Sequence, residues 1–247
     1  MLEREEESRL KNAAAAALFR ITGVNLYDQE KLWRRWWDEH GKDFEVPKKV
    51  PVMPKEDQGG SVAGFYGIPV NSGRAIFVID QSGSMSAAAR AKEMVSRTKD
   101  GDEPAVNRLD VAVGEVIGAV AKMKSRDRVN VIMFHSTIHP WRPSLQRLTK
   151  GNRGALKKHL LSLRPTGGTN IFDALEKALE DKEVDTIFLL SDGSPGSGKF
   201  VATNYILREI RRLNQTRRVA IHCVSIGRDA ELMKRLAAEN GGRYVRR

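Results

Sequence analysis

The sequence predicts an α/β fold: a doubly wound, mostly parallel six-stranded sheet with helices on both faces, Rossmann-like, preceded by a small helical appendage. Three observations carry that prediction. Apolar runs AIFVID (75–80), VNVIMFH (129–135), DTIFLLSD (185–192) and VAIHCVSIG (219–227) recur through residues 74–247. A strand that is apolar along its whole length is covered on both faces, as parallel strands are. Helical patterns lie between the runs and supply the crossovers that parallel pairing requires.

Residues 1–46 read as two helices. Leu10 to Leu18 is Ala-rich, and Asp28 to His40 carries Leu32, Trp33, Trp36 and Trp37 at helical spacing. Asp28 can cap the second helix and Gly41 can stop it. Two short helices have too little core to cover three indoles alone, so these tryptophans are expected to dock and be buried. Residues 47–73 hold four prolines and five glycines without a period, which predicts an extended linker. The domain organisation is therefore an appendage at 1–46, a linker at 47–73 and an α/β domain at 74–247.

Within that domain Leu109, Val113, Val116, Ile117 and Val120 mark one face of a first helix. The short strand IHPW (138–141) is pushed to an edge by Pro140, lying antiparallel there. Helices are expected at Arg153–Leu163, Ile171–Leu179, about Phe200–Asn214 and Ala230–Glu239, with a last strand at Arg243–Val245. In such sheets ligands bind outside the carboxyl ends of the strands, near the switch point.

Composition narrows the function classes. Residues 1–73 carry 11 Lys/Arg against 12 Asp/Glu, whereas residues 74–247 carry 31 against 19. A basic domain attracts polyanions. However, Arg208, Arg211, Arg212, Arg217 and Arg218 cluster at one helix end without interleaved aromatics, which argues against nucleic acid. The single cysteine, Cys223, excludes an internal disulfide and a Cys-based zinc site; inside an apolar strand it reads as an inert core thiol. No apolar run approaches the roughly 18–20 residues of a membrane span. The acidic N-terminus is unlike a signal peptide, and the expected localisation is cytoplasmic.

Three segments carry the candidate chemistry. Asp80-Gln81-Ser82-Gly83-Ser84 ends the first core strand and puts one carboxylate and two hydroxyls on one rim. Thr166-Gly167-Gly168-Thr169-Asn170 opens a helix, and Ser191-Asp192-Gly193 ends the third core strand. Hard oxygen donors converging from three loops suit Mg²⁺ or Mn²⁺ and not soft metals.

These segments resemble the metal-ion-dependent adhesion site of von Willebrand factor type A (VWA) domains, and residues 74–247 resemble that domain as a whole. The resemblance implies Ser82 and Ser84 as direct metal ligands. It also implies Thr169 as a ligand that binds directly when a partner is engaged and through water otherwise. Asp80 and Asp192 are implied as carboxylates holding the coordinating waters. Neutral hydroxyls leave most of the ion's charge uncancelled, and Mg²⁺ keeps waters, so an exchangeable position remains for an acidic side chain of a protein partner. The expected function is metal-dependent protein–protein recognition without catalysis. The alternatives are a Mg²⁺-dependent hydrolase or phosphotransferase, and polyanion binding through the basic surface. Ser86-Ala87-Ala88-Ala89 stands where some members carry acids for a second ion, which predicts one metal; residues 86–107 form a charged insertion near the rim. The stretch ITGVNLYDQEKLWRRWWDEHGKDF resembles the closing unit of bacterial helical repeats of the HEAT type, which implies an upstream helical-repeat region.

Other patterns fall short. Gly193-Ser194-Pro195-Gly196-Ser197-Gly198-Lys199-Phe200 nearly spells a P-loop, but Phe200 replaces the Mg²⁺-binding hydroxyl and Pro195 lacks an N–H. A phosphoryl-aspartate mechanism needs a second Asp where Ser82 stands. No serine lies in a G-x-S-x-G elbow. His135, His139 and His159 show no metal-type spacing and read as structural or surface residues.

Overall fold

The computed structural model describes residues 64–89, 107–227 and 230–247, with Ala14, Ala17, Leu18, Ile21, Thr22, Trp33, Arg34, Trp37, Asp38, Gly41, Lys42, Phe44 and Glu45. The chain divides into two units, Met1–Gly60 and Ser61–Arg247.

In the second unit, β3 (Arg74–Asp80) lies at the centre of the sheet, parallel to β4 (Arg128–Phe134) on one side and β7 (Thr186–Ser191) on the other. β8 (Ala220–Ser225) and β9 (Tyr244–Arg246) extend the β7 side in parallel. On the other side β5 (Ile138–Pro140) pairs antiparallel with β4. The doubly wound, mostly parallel sheet is as expected, including its antiparallel edge. It has seven strands and not six, because the two-residue β6 (Gln146–Arg147) also pairs with β4. Two residues are too few to show a period in sequence.

Alternation along each strand creates two cores. Phe77 and Ile79 point to one face with Val131, Phe188 and Leu190, where α1 (Arg108–Lys122) and α2 (Lys150–Leu161) cover them. Ile76 and Val78 point to the other face with Ile132 and Leu189, under α3 (Ile171–Glu180), α4 (Thr203–Asn214) and α5 (Glu231–Glu239). Helix starts follow local chemistry: Asn107 and Asp110 form a reciprocal capping box on α1, and the Asn170 side chain accepts from the Asp173 N–H at the start of α3. Cys223 is fully buried on the α3–α5 side, and burial pushes its thiol far above the ordinary range, so it is inert.

The end of the segment read as linker belongs to this core. β1 (Gly64–Phe65) and β2 (Ile68–Pro69) form a hairpin whose two turn residues, Tyr66 and Gly67, both have positive φ, as a type I′ turn requires. Phe65 is fully buried edge-on to Tyr66, Phe77 and Phe188. Glu115 of α1 accepts the Tyr66 N–H at 3.1 Å, and Arg247 donates to the Tyr66 carbonyl at 2.6 Å. Proline and glycine here shape a turn on the core, which composition alone cannot distinguish from a free linker.

In the first unit, Trp33 and Trp37 lie in helix, and the N–H of Gly41, in a turn, donates to the Trp37 carbonyl at 2.7 Å. Trp33 is half-buried. Trp37 is 54% exposed, against the expectation of burial, and its ring meets Phe44 at 5.9 Å. Trp36, Asp28 and most of the repeat-like stretch lie outside the described residues, as do residues 90–106 of the insertion.

One stability consequence concerns His222. Its ring stacks on Phe188 at 4.9 Å, and its Nδ1 accepts the Arg243 N–H at 2.9 Å. Burial, helped by the Arg243 charge, pushes its pKa down from 6.5 to about 4. The folded state therefore resists a proton that the unfolded chain accepts, so this contribution to stability is complete above pH 6.5 and lost as pH falls towards 4. Urea titrations should show the parent losing about 2 kcal/mol more than His222→Gln between pH 7 and about pH 5. Equal losses would show that His222 does not govern the acid limb.

Candidate functional site

At the carboxyl end of β3 the chain leaves the sheet between β4 and β7, the switch point of the fold. Asp80 is the last residue of β3 and is fully buried. Its Oδ1 accepts the Ser82 N–H at 2.7 Å, and its other oxygen accepts the Ser191 hydroxyl. The loop then tightens into a 3-10 turn, Gly83–Ser86. The Ser82 and Ser84 hydroxyls lie 3.0 Å apart, and Ser84 donates to Asp192 Oδ1 at 2.6 Å. Its lone pairs remain available when its proton is given away in this direction. The remaining oxygen of Asp192 accepts from Arg108 at 2.8 Å, an ion pair whose carboxylate is fully covered.

The second loop is stitched to the first through backbone groups. Gly83 donates to the Gly167 carbonyl at 3.0 Å, and Thr166 donates to the Gln81 carbonyl at 2.8 Å. Gly167 has φ +67°, and a Cβ there would meet His135 Nδ1 at 3.0 Å, so the turn needs glycine. Thr169, nearly buried, lines one open cleft of about 510 Å³ with Ser84, Arg108, Asp192, Gly193, Ser194, Ile226 and Gly227. All five residues singled out in sequence thus gather here: Asp80, Ser82, Ser84 and Asp192 through hydrogen bonds, and Thr169 across the cleft.

Electrostatics add a fit test for a cation. Burial pushes the Asp80 carboxyl up to about 6; its bonds to Ser191 and Ser82 oppose this, and nearby Asp192 reinforces it. Among the described residues Asp80 has no cationic side-chain partner. A buried carboxylate in that position gains from a nearby positive charge. The all-oxygen donors around it suit a hard divalent ion.

Two participants were not legible in sequence as site residues. Ser191 stood in the third segment but reaches Asp80 only because parallel β3 and β7 end side by side. Arg108 opens α1 with no local signal, and only the tertiary fold delivers it to Asp192.

The near-P-loop is already occupied. Gly196 and Ser197 donate to the Thr169 carbonyl at 2.9 and 3.2 Å, Lys199 N donates to Asp173, and the Lys199 ammonium pairs with Glu176. The first two N–H groups brace Thr169, and the third binds Asp173, instead of cradling phosphate. The basic helix end is likewise paired: Arg211 with Glu239, and Arg208 and Arg212 with Glu209. Among the described residues no helix is long and apolar enough to cross a membrane.

The second unit is thus a doubly wound α/β domain with hydroxyls and carboxylates gathered at its switch point. A family model of the von Willebrand factor type A domain matches residues 117–246, just over half of the chain. The chain belongs to that family. It is 26% identical over 212 residues to mouse inter alpha-trypsin inhibitor heavy chain 4, covering 76% of this chain and 20% of that one. Bovine inter-alpha-trypsin inhibitor heavy chain H4 is 30% identical over 189 residues, covering 71% and 18%. The chain thus spans about a fifth of these relatives. In structure it is similar to a von Willebrand factor type A protein from Catenulispora acidiphila, with a TM-score of 0.56 at 18% identity, covering 70% of this chain and 38% of that one. This last likeness concerns the fold.

Proposed function

We propose that the domain binds one divalent metal ion, Mg²⁺ or Mn²⁺, and through it captures an acidic side chain of a protein partner. The observation that carries this reading is the bonded series Ser82, Ser84 and Asp192 beside the buried Asp80, which has no cationic side-chain partner among the described residues. Ser82, Ser84 and Thr169 would hold the ion, while Asp80 and Asp192 would hold its waters. The bound ion supplies an open coordination position that favours a carboxylate. Ser84 keeps its lone pairs while its proton goes to Asp192, and Asp80 supplies buried negative charge. Arg108 adds a fixed cation to the cleft wall, which favours an anionic ligand further. The site has the means to bind and orient, and the reading assigns it no catalytic step.

The +12 balance of residues 74–247 raises the encounter rate with acidic surfaces without setting specificity. The test is recovery of partners from lysate of the source cell with Mg²⁺ against EDTA, repeated with Thr169→Ala. A specific partner should be retained only with metal. Thr169→Ala should weaken it by about tenfold or more, and an amide in place of its critical acid should mimic EDTA. A partner that survives both EDTA and Thr169→Ala would place recognition on another surface.

A further inference from the structure

Outside the oxygen site, the turn between β4 and β5 gathers three donor atoms that sequence spacing did not suggest. His139 faces Met133 across the antiparallel ladder. His135 lies two residues beyond Met133, so both imidazoles fall on the same face. Their Nε2 atoms are 3.1 Å apart, while the rings splay behind them with centroids 4.9 Å apart. The Thr137 hydroxyl lies 2.7 Å from His139 Nε2 and 3.4 Å from His135 Nε2. His139 and Thr137 are exposed and His135 is half-buried.

We propose that His135 Nε2, His139 Nε2 and the Thr137 hydroxyl form a surface site for a transition-metal ion of the Zn²⁺, Ni²⁺ or Cu²⁺ kind. Donors about 2.1 Å from a metal stand roughly 3.0–3.4 Å from each other in octahedral or tetrahedral arrangement. The two imidazole nitrogens fall in that range, and the hydroxyl needs to withdraw only slightly to complete the face. Two imidazoles select borderline metals over Mg²⁺, which separates this site chemically from the all-oxygen one. The remaining positions are left to water or to a donor from another molecule.

The frame is already built. The backbone N–H of His135 donates to the Thr137 carbonyl at 3.0 Å, and the His135 carbonyl accepts the Asn170 N–H at 3.0 Å. The Ser136 hydroxyl accepts the Gly168 N–H at 2.9 Å. The donors are thus held by the loop that carries Thr169, on the same rim as the cleft. Burial and the neighbouring His139 ring hold the His135 pKa below its ordinary value, which favours the neutral ring that a metal needs. Coordination through Nε2 puts the His135 proton on Nδ1 and gives up its contact with the Thr137 N–H. That contact is long, at 3.3 Å, and the exposed turn lets the ring rotate to part the two donors.

The test is calorimetric titration of the untagged chain with Zn²⁺ in excess Mg²⁺, which keeps the oxygen site occupied by the harder ion. The parent should bind one Zn²⁺ that His159→Gln leaves unchanged. His135→Gln and His139→Gln should each weaken it by about tenfold or more. Both positions are accessible enough for glutamine to be accommodated, and circular dichroism checks the fold. Bound Ni²⁺ should broaden the imidazole NMR signals of His135 and His139 before those of His159 and His222. A smaller loss in either glutamine variant, or no Zn²⁺ binding by the parent, overturns the proposal.

Discussion

A chain trimmed to residues 74–247 is expected to lose most of the stability that one trimmed to 61–247 has. The shorter fragment removes Phe65, Tyr66, Ile68 and Val70 from the core on the α1 face. It leaves Phe77 and Phe188, which stack at 5.1 Å, without the ring that packs edge-on against both. A single buried Phe→Ala change costs about 3–5 kcal/mol, against a total of about 5–15 kcal/mol for a domain of this size. Phe65→Ala in the full chain should therefore lower Tm by about 10 °C. Thermal melts of the two fragments and of this variant decide the matter. Equal stability of the two fragments would mean that the hairpin rests on the domain without supporting it.

The second large effect is on metal binding. Asp80→Asn keeps the shape of the side chain and an acceptor for the Ser82 N–H, but removes the buried charge. Calorimetry should find one Mg²⁺ or Mn²⁺ site in the parent and none in Asp80→Asn, while both fold. A ligand that binds only the folded chain stabilises it by about 2.7 kcal/mol at a hundredfold excess over Kd. The parent's Tm should therefore rise with Mg²⁺, and that of Asp80→Asn should stay where it is. Asp192→Asn should also lose the metal, and in addition leave the Arg108 guanidinium facing a neutral amide. Undiminished Mg²⁺ affinity in both variants would remove the oxygen cluster from the proposed function.

Sequence by itself determined the elements long enough to carry a period: the four core strands, the helices between them, and the edge strand that Pro140 confines. It also marked Asp80, Ser82, Ser84, Thr169 and Asp192 as oxygen donors in three separate segments, because side-chain chemistry and nearness to an element's end are legible along the chain. Only the tertiary structure decided what depends on contacts between distant segments. The β1–β2 hairpin looked like a linker because Tyr66, Gly67 and Pro69 declare a turn but not the core it packs on. The two residues of β6 have no pattern, and their strand character exists only beside β4. Arg108 and Ser191 acquire partners through strand order, 84 and 111 residues along the chain from Asp192 and Asp80 respectively. His135 and His139 meet because antiparallel register folds one back beside the other. Periodicity reports which side of an element is apolar, and only pairing and packing bring one element's side chains to another's.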